Sequence, residues 1–172
     1  MTIKKIIEIS FKQLMALTIF YSISPLIIAY ISEYYFNYKP CKLCIYQRLI
    51  YFIMIIFCFL SIKFTKHQKK QKISIFLLTT ITFSEFLVAG YHSGIEAKIF
   101  SLPNGCKNNS SIDYNQTVES LAQILKENSF ASCDVPTAFF LGISMASWNV
   151  IYSLFLLISI IASYSYINFK KL

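Results

Sequence analysis

The sequence predicts an all-α membrane protein: a four-transmembrane-helix bundle with a short amphipathic helix in its second outer loop. Three observations carry that prediction. Of the 172 residues, 56% are hydrophobic, more apolar surface than a soluble domain of this size can bury. Four apolar stretches approach the roughly 20 residues that a helix needs to cross about 30 Å of hydrocarbon. Finally, the lysines fall where alternating spans would place them on one side.

The first stretch runs from Phe11 to Ile31. Lysines precede it, as in a signal peptide, but the apolar run is too long for such a segment and no small-residue cleavage site follows, so it is read as a retained anchor. The second runs from Cys44 to Ile62 and the third from Ile73 to Tyr91. The fourth, Ala138 to Tyr166, is longer than one span requires. Either its first turns stand above the membrane or the helix tilts, and the span itself is placed over 142–166. The expectation is a single integral membrane domain over 1–172, with outer loops at about 32–43 and 92–141.

Lys4, Lys5 and Lys12 precede span one, five lysines fall in the link Lys63 to Lys72, and Lys170 and Lys171 close the chain. The positive-inside rule puts these segments, and both termini, in the cytoplasm. A net charge of +8 would suggest nucleic acid in a soluble protein, but here it marks topology. Cys41, Cys44, Cys106 and Cys133 then lie outside, where disulfides are permitted. Cys58, within span two, reads as a small apolar packing residue.

The second outer loop divides into a turn around Pro103-Asn104-Gly105, a polar stretch from Lys107 to Gln116, and a helical pattern from Thr117 to Asn128. In that pattern Val118, Leu121, Ile124 and Leu125 recur at helical spacing. It is the amphipathic helix, lying on the outer leaflet or packed on the bundle.

Chemistry concentrates at Pro40-Cys41-Lys42-Leu43-Cys44-Ile45-Tyr46-Gln47-Arg48. Cysteines three apart on a helix can close a disulfide without moving the chain. Pro40 suits a helix start, where the positive N-terminal dipole favours a thiolate. Arg48 shares the face, roughly 6 Å farther along the axis than Cys44. An arginine costs about 2.5–3.5 kcal/mol at the bilayer centre, so something should compensate it unless it snorkels to the headgroups. The functional reading is that Arg48 binds a polar acceptor and stabilises negative charge arising there.

A lone CxxC serves zinc and redox sites alike, and four outer cysteines allow three connectivities that sequence does not choose between. A relay suits the arrangement: a loop disulfide reacts with a soluble dithiol and is regenerated by the membrane-edge pair. The competing reading is a non-catalytic protein whose four cysteines hold zinc or staple the loop. Glu85, an acid at membrane depth, is a default functional suspect, either acting near the acceptor or hydrogen-bonded between helices. His92 either tunes acceptor binding or caps span three, and Glu96 is read as a cap. Gly142 and Ala146 form a small-residue pattern for close packing of span four, and Trp148 is an interface or bundle residue.

The chain resembles the bacterial disulfide bond formation protein B (DsbB) family of quinone-linked thiol oxidases. The resemblance rests on Pro40 to Arg48, Tyr91-His92-Ser93-Gly94-Ile95-Glu96, Cys133-Asp134 and Leu141-Gly142-Ile143-Ser144-Met145-Ala146-Ser147-Trp148-Asn149. The vitamin K epoxide reductase family is similar in core, but there the CxxC follows the loop cysteines. The resemblance implies a protein-disulfide:quinone oxidoreductase of the bacterial inner membrane, with no metal in its chemistry. By that implication Cys106 and Cys133 form the disulfide that oxidises a periplasmic DsbA-like thioredoxin-fold partner, Cys106 being the atom attacked. Electrons pass to Cys41 and Cys44 and on to ubiquinone or menaquinone. Cys44 would face the quinone ring, with Arg48, and as further candidates His92 and Glu85, on the quinone side.

Overall fold

The computed structural model describes residues 3–64, 67–103, 106, 130–136 and 138–169. Four long helices dominate: α1 (Ile3–Tyr34), α2 (Lys42–Phe64), α3 (Gln68–Glu96) and α4 (Met145–Phe169). Each is long and apolar enough to cross a membrane, over Phe11–Tyr34, Lys42–Phe64, Gln68–Glu96 and Met145–Ser165. The expected fold class therefore holds. The amphipathic helix over 117–128 and the polar stretch over 107–116 lie outside the described residues.

Helix α1 packs on α2, α2 on α3, and α3 on α4, with a lighter α1–α4 contact closing the bundle. The core joins Phe11, Leu14 and Met15 of α1 to Tyr51, Met54 and Cys58 of α2, Ile75 and Leu78 of α3, and Leu156 and Ile160 of α4. Cys58 is thus the packing residue its sequence context implied. Large apolar side chains such as Phe20, Phe52, Phe59, Phe76 and Phe155 point outward. In water such a surface would be an aggregation liability; against lipid tails it costs nothing.

Lipid also demands that every backbone polar group find a partner inside the protein. Pro25 interrupts α1 and has no N–H to donate to Tyr21 O one turn earlier. The freed carbonyl instead accepts from Ser24 Oγ at 3.0 Å and from Tyr152 Oη at 2.8 Å. A helix breaker thereby becomes an α1–α4 tie.

Of the boundaries that differ from expectation, two bear on the site. Helix α3 continues past Tyr91 to Glu96, so His92 and Glu96 are helical residues rather than part of the outer loop, and Ala97 supplies the C-cap. The chain then reverses, with Ile99 N and Phe100 N donating to Gly94 O at 2.8 and 3.2 Å. The ring of Phe100 lies directly on Gly94, in the space a Cβ would need.

The second difference is at the start of span four. Ala138–Ser144 is not helical: β1 (Phe139–Phe140) and β2 (Ile143–Ser144) pair antiparallel, Phe139 opposite Ser144 and Phe140 opposite Ile143. Leu141 and Gly142, at φ 52° and 78°, form the two-residue turn, and glycine supplies the left-handed conformation at its second position. Gly142 therefore lies off the helix, and the small-residue pattern does not form a continuous α4 face; Ala146 alone is buried there. An apolar run carries no period that separates a short hairpin from a helical turn. Ser144 Oγ caps α4 through Ser147 N at 3.2 Å, and Trp148 Nε1 holds the hairpin by donating to Phe140 O at 2.9 Å.

Candidate functional site

At one end of the bundle the first turn of α2 meets the end of α3 and the segment 130–134. Ala131 N donates to Pro40 O at 3.1 Å, and Cys41 and Ala131 form an isolated parallel bridge. Cys133 N donates to Cys106 O at 3.4 Å, and Ser132 Oγ reaches the same carbonyl at 3.3 Å. Lys98 pairs with Asp134 at 2.6 Å, tying this segment to the chain just past α3. Lys98 and Ser132 hydroxyl contacts hold the Asp134 carboxyl below its usual range. These ties bring Cys41, Cys44, Cys106 and Cys133 into one cluster.

Cys41, Cys106 and Cys133 are buried, with Leu43 and Ile95, and Cys44, Leu102 and Ala131 pack against them. All are free thiols in this structure. Cys41 Sγ lies 2.9 Å from Cys44 Sγ and accepts from Cys44 N at 3.2 Å. Cys133 packs in the same buried cluster as Cys41 and Cys106, close enough for its thiol to interact with both. The sulfurs therefore form a connected series, Cys106 to Cys133 to Cys41 to Cys44.

Their acidities differ. The Cys133 thiol is lowered to about 6, first by the hydrogen bond from Cys41, then by that from Cys106 and by the amides of Leu43 and Lys42 in the first turn of α2. Burial, followed by the contact to Cys133, pushes Cys106 up to about 12. Cys41, which donates to Cys133 and Cys44 and is itself buried, is raised. Cys133, arriving from the 130–134 segment, is thus a lowered thiol at the N-terminus of α2, whereas Cys41, of the pair that the sequence places there, is raised. Cys41 immediately precedes α2, its carbonyl accepting from Ile45 N at 3.3 Å and its sulfur from Cys44 N, while Cys133 meets the amides of Lys42 and Leu43.

His92 Nε2 lies 3.4 Å from Cys41 Sγ and 3.7 Å from Glu96 Oε1. Cys41 Sγ, Cys44 Sγ and a His92 ring nitrogen all lie within 4.8 Å of one another, close enough to share a metal ion. Among the described residues the convergent ligand set therefore includes a histidine, which four-cysteine zinc binding did not anticipate.

Arg48 does not extend freely into solvent. Its guanidinium forms an ion pair with Glu33, donates from Nη2 to Ala29 O at 3.3 Å, and lies over the Tyr30 ring at 5.1 Å. All three partners belong to the last turns of α1. Glu33 is the compensation that an arginine at this depth requires, and the sequence pattern alone does not single it out. The available signal was its isolation: no other acid occurs between Glu8 and Glu85. Arg48 Nε remains buried without a partner among the described residues.

Glu85 lies seven residues before His92 on the buried face of α3, about 10 Å farther into the bundle. It accepts from Asn149 Nδ2 at 2.8 Å, and Asn149 Oδ1 accepts from Tyr51 Oη at 2.6 Å. This network joins α2, α3 and α4, corresponding to the interhelical reading of Glu85. Asn149 and Tyr51 had carried no role in the sequence; a polar residue among apolar neighbours at membrane depth was the signal.

Comparison with known proteins agrees with this architecture. The sequence model of the family described as "Disulfide bond formation protein DsbB" matches residues 11–163. An uncharacterized protein, RP370, of Rickettsia prowazekii (strain Madrid E) is 32% identical over 158 residues, covering 92% of this chain and 90% of that relative. No solved structure matches. With four membrane-crossing helices and a family match over most of its length, this multi-pass membrane protein belongs to the disulfide bond formation protein DsbB family.

Proposed function

We propose that this chain reoxidises a DsbA-like periplasmic dithiol carrier and passes the electrons through two cysteine pairs to a membrane quinone. The observation that carries the proposal is the contact series Cys106, Cys133, Cys41, Cys44, with a lowered thiol at its second position. Disulfide exchange is faster when the departing sulfur is the more acidic. A carrier thiolate attacking Cys106 of a Cys106–Cys133 disulfide would release Cys133, the sulfur that α2 amides and neighbouring thiols stabilise as an anion. The second carrier thiol would resolve the mixed disulfide at Cys106, leaving the carrier oxidised and the loop pair reduced.

Cys133, touching Cys41, is then placed to attack a Cys41–Cys44 disulfide at Cys41, releasing Cys44 on the side of Arg48. Cys106 thiolate recloses the loop disulfide on Cys133 and returns the electrons to the Cys41–Cys44 pair. Two electrons and two protons have left the carrier, and the same number must leave this pair to restore the starting disulfide.

Quinone chemistry supplies that sink when the group is bound, taking up two electrons and two protons. The residues fit such a group: Arg48 keeps one buried N–H unpartnered beside the Tyr30 ring, a donor suited to a carbonyl oxygen. Glu33 holds that guanidinium in place. His92, against Cys41, is a candidate to accept the thiol proton, whereas Glu85 acts at a distance through the bundle. The cytoplasmic placement of both termini and a bacterial inner-membrane location belong to the same proposal, supported by the lysine distribution.

Purified full-length protein mixed with a reduced DsbA-like carrier and a short-chain quinone should reduce the quinone. Cys44→Ser should abolish quinone reduction, and Cys106→Ser should abolish the mixed disulfide with the carrier. A wild-type rate in either variant, or a mixed disulfide mapped to Cys41, would remove its assigned role.

A further inference from the structure

We propose that the reduced form of this chain is also a reversible zinc site, in which Cys41, Cys44 and His92 bind the ion and close the relay. Binding needs no redox step: two thiols lose their protons, two thiolates and one imidazole nitrogen take the cation, and the sulfurs remain reduced. Disulfide formation and metal binding therefore exclude each other at the same two atoms.

Geometry supports this ligand set. With Zn–S near 2.3 Å and Zn–N near 2.0–2.1 Å, tetrahedral ligands stand roughly 3.5–3.8 Å apart. Cys41 Sγ and His92 Nε2 are already 3.4 Å apart. The two sulfurs, at 2.9 Å, need to separate by a little under ~1 Å, within reach of a side-chain rotation of Cys44. Cys133, touching Cys41, stands beside the remaining position. Glu96 Oε1, 3.7 Å from His92 Nε2, adds negative charge close to where a cation would sit. Burial of Cys41 and His92 excludes competing water, while half-buried Cys44 leaves a way in.

The surroundings decide in favour of a reversible site over a structural one. A ligating histidine usually donates its other ring N–H to a partner that fixes the ring. With Nε2 facing the sulfurs, His92 Nδ1 is buried and has no partner among the described residues. The fold around it is also held by the Lys98–Asp134 and Ala131–Pro40 ties without any ion. Zinc here acts as a brake on the reduced thiols, a consequence that rests on the thiol-oxidase reading, whereas the binding itself does not.

The test uses the full-length protein in detergent, reduced anaerobically with a phosphine and titrated with zinc against a chromophoric chelator. Reduced protein should bind one equivalent, protein oxidised at Cys41–Cys44 none, and Cys58→Ser should behave as wild type. His92→Ala should weaken binding by about tenfold or more, the scale on which even outer-shell losses act. X-ray absorption should show two or three sulfurs and one nitrogen. Equal affinity in His92→Ala, a sulfur-only shell, or stoichiometric binding by the oxidised protein would overturn the site. Turnover of metal-free protein is measured separately: its absence would defeat the oxidase reading and leave the titration standing. With turnover present, zinc should slow it and a chelator restore it; unslowed turnover at saturating zinc would refute the brake.

Discussion

Replacing Glu33 by glutamine leaves an oxygen within reach of Arg48 but removes the charge that holds it. The two side chains are 17% and 28% exposed, so neither limiting case applies. A fully exposed pair is worth about 0.2–1 kcal/mol, and breaking a buried one costs about 3–5 kcal/mol. A pair this sheltered, retaining the Ala29 carbonyl and the Tyr30 face, should lose about 1.5 kcal/mol of guanidinium positioning. If Arg48 orients the acceptor, that corresponds to roughly a tenfold rise in the apparent KM for quinone. Steady-state quinone reduction, at saturating carrier and varied short-chain quinone, reads it. Stopped-flow exchange with the carrier, which involves the loop cysteines, should be unchanged. An unchanged KM would show that Glu33 does not position Arg48. A lower KM would show the opposite role, with the carboxylate competing for the guanidinium, and would refute the argument equally.

Cys133 and the polar network provide two further predictions. In reduced protein the rate of Cys133 alkylation, followed by mass spectrometry across pH, should inflect at about pH 6. A lowered thiol is charged above that pH and becomes protonated as pH falls through it, so reactivity is lost on the acid side. Cys41→Ala, which deletes the hydrogen-bond donor that contributes most, should move the inflection to higher pH; no movement would contradict the cause assigned to it. Asn149→Leu strips partners from both Tyr51 Oη and Glu85 Oε1, which are buried in the bundle. At about 1–3 kcal/mol for each orphaned group, unfolding in mixed detergent should show a loss of about 2–6 kcal/mol. A loss below about 0.5 kcal/mol would mean that these groups find other partners.

Legibility in the sequence tracked the range of the interaction. Spans two and three were readable because length and apolarity are local properties, whereas Ala138–Ser144 was misread because its hairpin depends on two left-handed residues in a run with no period. The CxxC and Arg48 shared a face by helix arithmetic alone. Glu33 did not announce itself, because it lies on another helix, 15 residues earlier. For His92 the sequence leaves two roles open, and the continuation of α3 to Glu96 decides between them by carrying it to Cys41.

By itself the sequence determined that this is a four-span membrane protein with a CxxC at the start of its second span, since bilayer thickness acts on the chain segment by segment. Only the tertiary structure decided the order of sulfur contacts, that the Cys133 thiol is lowered while Cys41 is raised, and that Arg48 is held by Glu33. The physical reason is the same in each case. A thiol's acidity and an arginine's position depend on neighbours within a few ångströms, and the packing of α1 on α2 and of the 130–134 segment on α2 chooses those neighbours from distant parts of the chain.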